Sequence, residues 1–405
     1  SRGGFYAEGD LIWRWKDWID RRFMRQFNEL AVRPMAKNKS AEVIPLDIDE
    51  QTQAISARAM RCGGCGAKVG ASVLARALAK VQPVQRDDVL IGLNAPDDAA
   101  VVRVPPGMAI VQTVDFFRTF IDDPWLFGRI AANHALGDIF AMGATAQTAT
   151  AIATVPPGLD GKLEDTVLQM LAGAVSVLNE AGCALVGGHT GEGQELALGF
   201  AINGLIDESL RGALRKSGMR AGDVLILTKP IGTGTLLAAH ARLQVAGRSI
   251  DAALESMLVS NRAAVPCLIA HGATACTDVT GFGLLGHLLE MTCASGVDAE
   301  LVLNALPILD AAVDSTKAGI FSSLQPANER QIQGVNNPDA CRNHPHFPLL
   351  FDPQTAGGLL ASVPADAVDA CLVALQQLGY TEAARIGRIL PQDNASAPIR
   401  LLSGE

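Results

Sequence analysis

Apolar residues along this chain follow two rhythms that alternate from about Cys62 onward. Spacing of three and four residues predicts helices over Ala71–Val81, Trp125–Met142 and Leu163–Ala181. Short apolar runs between turn residues predict strands over Ala99–Val104, Met108–Val114, Thr148–Thr154, Ala197–Leu205 and Val224–Thr228. Strands that occur in near succession around helices suit an α+β architecture better than the regular alternation of a doubly wound sheet. Charge rises between Asp207 and Asp223, which places a domain boundary there and gives domains of 61–212 and 213–405. The second half repeats the mixture and ends on a strand near Ile386–Leu390, with the tail Asn394–Glu405 expected to be loosely held.

The first sixty residues are a different kind of sequence. Asp10 can cap a helix running to about Leu30, with Ile12, Trp15, Ile19, Phe23 and Phe27 at helical spacing and Arg14, Lys16, Arg21, Arg22 and Arg25 on other faces. Such a basic, aromatic helix suits packing on a neighbouring domain, and its composition also fits a membrane surface or a partner's groove. Residues 34–60 lack periodicity and read as a linker, so 1–60 form an appendage of helix and linker. The chain starts at Ser1 without a Met, as a fragment or a processed product of a longer chain would.

Composition narrows the class. Of 405 residues 49% are hydrophobic and 19% charged, which excludes an intrinsically disordered chain. The 33 basic and 42 acidic residues leave −9, so no overall charge favours nucleic acid. No apolar run reaches the ~18 residues of a spanning helix, and no signal-peptide pattern opens the chain, which points to a cytoplasmic protein. Most of the eight cysteines, such as Cys183 and Cys371, sit in apolar stretches, as buried thiols of a reducing compartment do. Gly numbers 40 against 5% aromatic residues, so glycine-shaped backbone is where special chemistry is expected.

Three groups of residues could carry chemistry. The run Cys62-Gly-Gly-Cys65-Gly-Ala-Lys68 offers half a zinc site, a redox pair, or a nucleophilic thiol on a glycine loop with a lysine three residues on. The carboxylates Asp97 and Asp98 in Asn94-Ala-Pro-Asp-Asp-Ala-Ala, Asp115, Asp138 and Asp278 stand beside apolar or glycine-rich sequence. Each alone suits a cap or a turn, and together they offer hard oxygen ligands for Mg²⁺, whose shell phosphate oxygens and water complete. Gly187-Gly-His-Thr190 and Lys229-Pro-Ile-Gly-Thr-Gly234 follow apolar strands, where backbone N–H groups could approach phosphates. Gly281-Phe-Gly-Leu-Leu-Gly286 matches the letters GxGxxG, but an acidic segment precedes it where a dinucleotide fold has a buried strand.

As a set, these motifs resemble the selenophosphate synthetases, or selenide, water dikinases, of the aminoimidazole ribonucleotide synthetase-like superfamily. The likeness spans Cys62 to about Leu402. It rests on Gly64-Cys-Gly-Ala-Lys68, Asp97-Asp-Ala-Ala, Thr113-Val-Asp-Phe-Phe117, Phe127-Gly-Arg-Ile-Ala-Ala-Asn133, Gly137-Asp-Ile-Phe-Ala-Met-Gly143, Gly187-Gly-His189, Thr277 to His287 and Asp352-Pro-Gln-Thr-Ala-Gly-Gly358, in the family's order. The resemblance implies a two-domain fold of that superfamily. It also implies conversion of ATP, selenide and water into selenophosphate, AMP and phosphate, with Mg²⁺ required and a homodimer usual. Cys65 then falls on the essential Cys or selenocysteine, with Lys68 its companion at the phosphates. Asp98, Asp138 and Asp278 fall on magnesium positions, and Lys68, Ala95, Pro96, Asp97, Asp115, Asp138, Gly188, His189 and Thr190 on ATP-binding ones. Cys62 lies outside the motif, Ala67 stands where some members have Cys, and Thr190 where Ser often follows the His. Lys16-Asp-Trp-Ile-Asp-Arg-Arg-Phe-Met24 resembles the end of a flavin-dependent NADH dehydrogenase or pyridine-nucleotide disulfide oxidoreductase, which implies an upstream flavoprotein domain. A selenium-delivery protein is a second implied partner. Two competing readings are another ATP-dependent kinase or synthetase of the superfamily and a non-catalytic nucleotide-binding subunit of that oxidoreductase.

Overall fold

The computed structural model of the protein describes residues 67–404 apart from Pro96. The amphipathic helix and linker of 1–60, Cys62, Cys65 and Pro96 therefore lie outside the described residues.

The first half is built on a four-stranded sheet. After helix α1 (Ala71–Leu78) and a short antiparallel ribbon of β1 (Val89–Ile91) and β2 (Val101–Val102) come β3 (Met108–Arg118), helix α2 (Pro124–Ala141), β4 (Thr145–Val155), helix α3 (Asp160–Glu180), β5 (Ala184–Glu192) and β6 (Ala197–Asp207). The strand order is β3-β6-β4-β5. Strand β6 runs antiparallel to both neighbours, from Met108 opposite Asp207 to Arg118 opposite Ala197, while β4 and β5 are parallel across the α3 crossover. These mixed pairings agree with the α+β reading.

Helix α2 is the hub. Its start is set by the Asp123 side chain, which accepts from Leu126 N at 3.0 Å, and by Pro124 in the first turn. It is apolar nearly all round, as a helix buried on most sides must be. It packs on β3, β6 and α3 and also reaches the second half of the chain. Its contact with α3 is backbone against backbone: a Cβ on Gly128 would sit 2.0 Å from Met170 O, and one on Gly173 2.0 Å from Trp125 O.

The second half carries β7 (Val224–Leu227), helices α4 (Thr233–Ala241), α5 (Gly247–Leu258) and α6 (Ala264–Ala270), β8 (Ala275–Asp278), α7 (Gly283–Ser295) and β9 (Asp298–Val302). Three short helices follow, α8 (Ala312–Lys317), α9 (Gln325–Asn328) and α10 (Pro338–Cys341), then β10 (Leu359–Val363), α11 (Val368–Gln377), β11 (Ala384–Leu390) and β12 (Ile399–Leu402). The six strands lie in the order β12-β9-β11-β7-β10-β8, antiparallel except for β12 with β9. The inner strands β7 and β10 are buried at every position, which matches the apolar run of β7 and that of β10 apart from its buried Ser362.

The tail departs from expectation. Residues 394–404 are not loose: Ile399 and Leu401 are buried, and β12 extends the sheet beside β9. The approach is tied down by Asp298, whose carboxylate accepts from Asp393 N and Asn394 N at 3.0 Å each. Asn337 then brackets Leu401, donating to its carbonyl at 2.8 Å and accepting from its N–H at 2.9 Å. A four-residue strand behind the polar stretch Asn394-Ala-Ser-Ala-Pro is too short for periodicity to register, and its partner is about a hundred residues away in sequence.

Candidate active site

A cavity of about 650 Å³ opens on the first sheet, between β4 and β5 on one side and the segment 91–102 on the other. Asp97 and Asp98 line it opposite Gly188, His189 and Thr190, and Thr148, Thr150 and Asn203 give it a polar floor. Asp97 Oδ1 accepts from Asp98 N at 2.8 Å, which turns the chain so that both carboxylates stay exposed. Ala95 is exposed on the same segment. The glycine run proves to be part of β5 itself and not a loop after it. At Gly188 a Cβ would lie 2.3 Å from Ala151 O, so glycine there permits the close approach of β4.

Lys68 is tied to the end of β5 through backbone pairing. It forms an isolated antiparallel bridge with Gly191, and Val69 N donates to Thr190 O at 3.2 Å. Lys68 is exposed, and the pairing sets its backbone beside Thr190 and Gly191, from a chain stretch separated from them by more than a hundred residues.

The carboxylates Asp115, Asp138 and Asp278 gather where α2 meets the second sheet. Asp115 comes from β3 and Asp138 from α2, where its Oδ2 accepts from the Thr113 hydroxyl. Asp278 ends β8 and is buried. Gly137 makes room for it, since a Cβ there would lie 2.9 Å from Asp278 Oδ2. Burial first, and then the charge of Asp138, push the Asp115 carboxyl up to about 6. The same two causes in the same order push Asp278 up to about 7, with Asp115 adding to the effect. Asp98 is not among the charges acting on either group; it belongs to the cavity instead. Mutually repelling hard oxygens of this kind are the donor type a small divalent cation takes, and such an ion would relieve both the repulsion and the burial cost.

A belt of polar residues from both halves surrounds this cluster, and sequence reasoning did not single it out. His134 Nδ1 accepts from Ala356 N at 2.9 Å, which leaves the proton on Nε2, 3.8 Å from Asp115 Oδ2. Burial lowers His134 to about 4, so the ring is neutral near pH 7. Asn133 donates to Met257 O at 2.7 Å and Val259 O at 3.1 Å, fixing α2 to the end of α5. The available signal was polar side chains within an otherwise apolar helix.

The segment Lys229–Gly234 corrects the expectation of a phosphate-facing loop. Lys229 is buried, and its Nζ donates to Ser256 O at 3.1 Å, Val259 O at 2.9 Å and Ala356 O at 2.5 Å. Burial lowers it to about 7, against the opposing pull of Asp278. The N–H groups of Gly232 and Thr233 are spent on Gln354 Oε1 at 3.0 and 3.1 Å. Gln354 in turn donates to Asp352 Oδ2 at 2.9 Å, and Thr235 donates to Asp352 Oδ1 at 2.8 Å. Burial still pushes Asp352 up to about 7. The loop therefore clamps the 352–358 segment and presents no free donors. The GxGxxG letters likewise mark a tight turn: Gly283 has φ of +70° at the start of α7, and Thr280 N donates to His287 Nε2 at 3.0 Å.

A carboxylate cluster where the hub helix meets the second sheet, in a chain of two α+β halves with a cavity on the first sheet, defines the class. Residues 96–206 match the AIR synthase related protein N-terminal domain, and residues 220–399 match the AIR synthase related protein C-terminal domain. In fold the chain is similar to thiamine-monophosphate kinase from Stenotrophomonas maltophilia, with a TM-score of 0.56 and 23% identity over 82% of this chain and 95% of that one. It is similar also to the hydrogenase maturation protein HypE in complex with ATP, with a TM-score of 0.54 and 19% identity over 73% of this chain and 80% of that one. Among whole sequences it is 37% identical to a selenide, water dikinase from Geobacter metallireducens over 338 residues, which cover 83% of this chain and 97% of the relative. The chain belongs to the selenide, water dikinase family.

Proposed function

We propose that this chain makes selenophosphate from selenide, ATP and water, releasing AMP and phosphate. The observation that carries this reading is the meeting of Asp115, Asp138 and Asp278 at the hub helix, in a chain with 37% identity across 97% of a selenide, water dikinase. ATP occupies the cavity between segment 91–102 and β5, with Lys68, Asp97, His189 and Thr190 as its contacts. Asp138 and Asp278 would hold Mg²⁺ at the hub helix, with Asp115 as a further oxygen donor, and Asp98 would serve as a magnesium ligand from the cavity side. When bound, the ion neutralises charge on phosphate oxygens, which is most of what phosphoryl transfer demands of a protein.

The chain's own groups supply the rest. The ammonium of Lys68 steadies the transferring oxygens, and Cys65, three residues earlier in a glycine-rich run, offers a soft thiolate suited to the delivery of selenide without a covalent change in it. Neutral His134 turns its Nε2–H toward Asp115, 3.8 Å away, without adding charge beside that carboxylate. Two domains, divided between Asp207 and Val224, and a homodimer complete the reading, which sets the enzyme in the cytoplasm. Among the described residues no helix is long and apolar enough to cross a membrane.

The test is anaerobic turnover followed by phosphorus NMR. Selenophosphate, AMP and phosphate are expected only with selenide present, and Cys65→Ser or Lys68→Met should abolish selenophosphate while Cys62→Ser is much milder. AMP or ADP formation indifferent to selenide would favour another kinase of the superfamily. No turnover of ATP under any of these conditions would favour a non-catalytic subunit.

A further inference from the structure

We propose that Cys267, His271 and Cys371 form a binding site for Zn²⁺ that staples helix α6 to helix α11. Cys267 and His271 are four residues apart at the end of α6 and therefore share a face, and Cys371 looks across from α11, which packs against α6. One ligand atom from each of the three lies within 4.8 Å of the others, and Cys267 Sγ is 3.7 Å from His271 Nδ1. Tetrahedral zinc, with bonds of about 2.3 Å to sulfur and about 2.0 Å to nitrogen, sets neighbouring ligand atoms roughly 3.5–3.8 Å apart. The Cys267–His271 separation is already such an edge.

The surroundings suit a metal better than a core thiol pair alone. The only polar contact of the Cys267 thiol besides His271, among the described residues, is a long one of 4.0 Å to Cys371 O. Cys371 is fully buried, Cys267 is 8% exposed and His271 is half-buried, so the imidazole is the side from which an ion enters and from which water supplies a fourth ligand. A carbonyl can only accept, so His271 Nδ1 donates to Cys267 O at 2.8 Å. Ligation through Nδ1 moves that proton to Nε2, and the two thiols each release one proton to solvent. Two thiolates then balance the divalent charge, which leaves no net charge in the apolar seam and favours Zn²⁺ over a monovalent ion. The start of α6 is already pinned from the same side. Tyr380 accepts from Ala264 N at 2.9 Å and donates to Ser260 O at 2.6 Å, and zinc would fix its other end.

The experiment uses the full chain carrying Cys62→Ser and Cys65→Ser, so that the other thiol pair cannot compete, reduced and treated with chelator under anaerobic conditions. Titration with Co²⁺ should give a thiolate-to-cobalt charge-transfer band that saturates at about one equivalent and is displaced by Zn²⁺, and Zn²⁺ should raise the melting temperature. His271→Gln, at a half-buried position that tolerates the change, should weaken Zn²⁺ binding tenfold or more and erase most of the thermal shift. Cys371→Ser should remove the band. Absence of a charge-transfer band in the starting protein, or a band and thermal shift indifferent to His271→Gln, would overturn the site.

Discussion

Asp278 carries a carboxylate that folding holds at about 7, well above its ordinary range, because it is buried next to Asp138. Between about pH 4 and 7 the folded chain therefore keeps a proton that the unfolded chain gives up, and the stability from this group is lost as pH rises through the folded value. Asp278→Asn removes that penalty. Without Mg²⁺ the variant should be more stable than the parent by roughly 1–3 kcal/mol at about pH 8, with the gap closing toward about pH 5. Mg²⁺ with ATP should reverse the order by raising the melting temperature of the parent alone; a variant that gains as much as the parent would remove Asp278 from the metal site. Lys229 is the opposite case, a buried amine that burial lowers to about 7 and whose three carbonyl partners have no water to turn to. Lys229→Met should cost about 2–4 kcal/mol in urea unfolding, since it leaves those acceptors unsatisfied. The acidic residues were readable because each charge interrupts apolar sequence, whereas Lys229 reads as a loop residue: nothing local says that its partners come from 256, 259 and 356.

At the scale of elements, the long strands and the two long helices α2 and α3 were legible because each is long enough for its period to register, as in the eleven-residue β3 and β4. The strand expected over Ala99–Val104 shrinks to the two-residue β2, and the helix expected over Ala71–Val81 ends at Leu78. What stayed hidden is tertiary. Gly128 and Gly173 look like ordinary weak points in helical patterns, yet each is the spot where one helix backbone lies on the other. Gly128→Ala should destabilise the first half by about 3 kcal/mol, because the added methyl meets Met170 O and not a yielding side chain. Equal urea midpoints for parent and variant would show that the two helices can slide apart at no cost. The C-terminal strand was missed for a related reason, its signal being its burial against β9. Deleting residues 395–405 exposes the places of Ile399 and Leu401 and strips β9 of its outer partner. The loss should be about 3–6 kcal/mol in urea unfolding, whereas a loosely held tail would leave the midpoint unchanged.

On the whole molecule, the first sheet has one face covered by α2 and α3 and another that is not covered by any described residue along its β3 edge. Ile110, Val114 and Phe116 alternate with inward positions on β3 and are 46%, 61% and 46% exposed, and Ile152 on β4 is 39% exposed. Side chains two apart on a strand share a face, and the register sets Phe116 opposite Gly199, which in turn is opposite Ile152. Val114, Phe116 and Ile152 therefore form one apolar surface, with Ile110 beyond the Gln112–Asn203 pair, on the face whose Thr150 and Asn203 line the proposed nucleotide cavity. An exposed patch of this kind is expensive to leave in water, and the proposed homodimer would cover it with its own copy around a two-fold axis. Val114→Glu tests this, because a side chain already mostly in water can take a charge without disturbing the fold, while two copies facing each other would bring the new carboxylates together. In sedimentation the parent should run as a dimer and the variant as a monomer, with near-equal melting by circular dichroism once dimer dissociation is allowed for. The cavity shares this face, so the monomer should also lose ATP affinity, by tenfold or more in equilibrium titration. A parent that sediments as a monomer at the concentrations where it turns over ATP would show that the patch serves something other than a second copy of the chain.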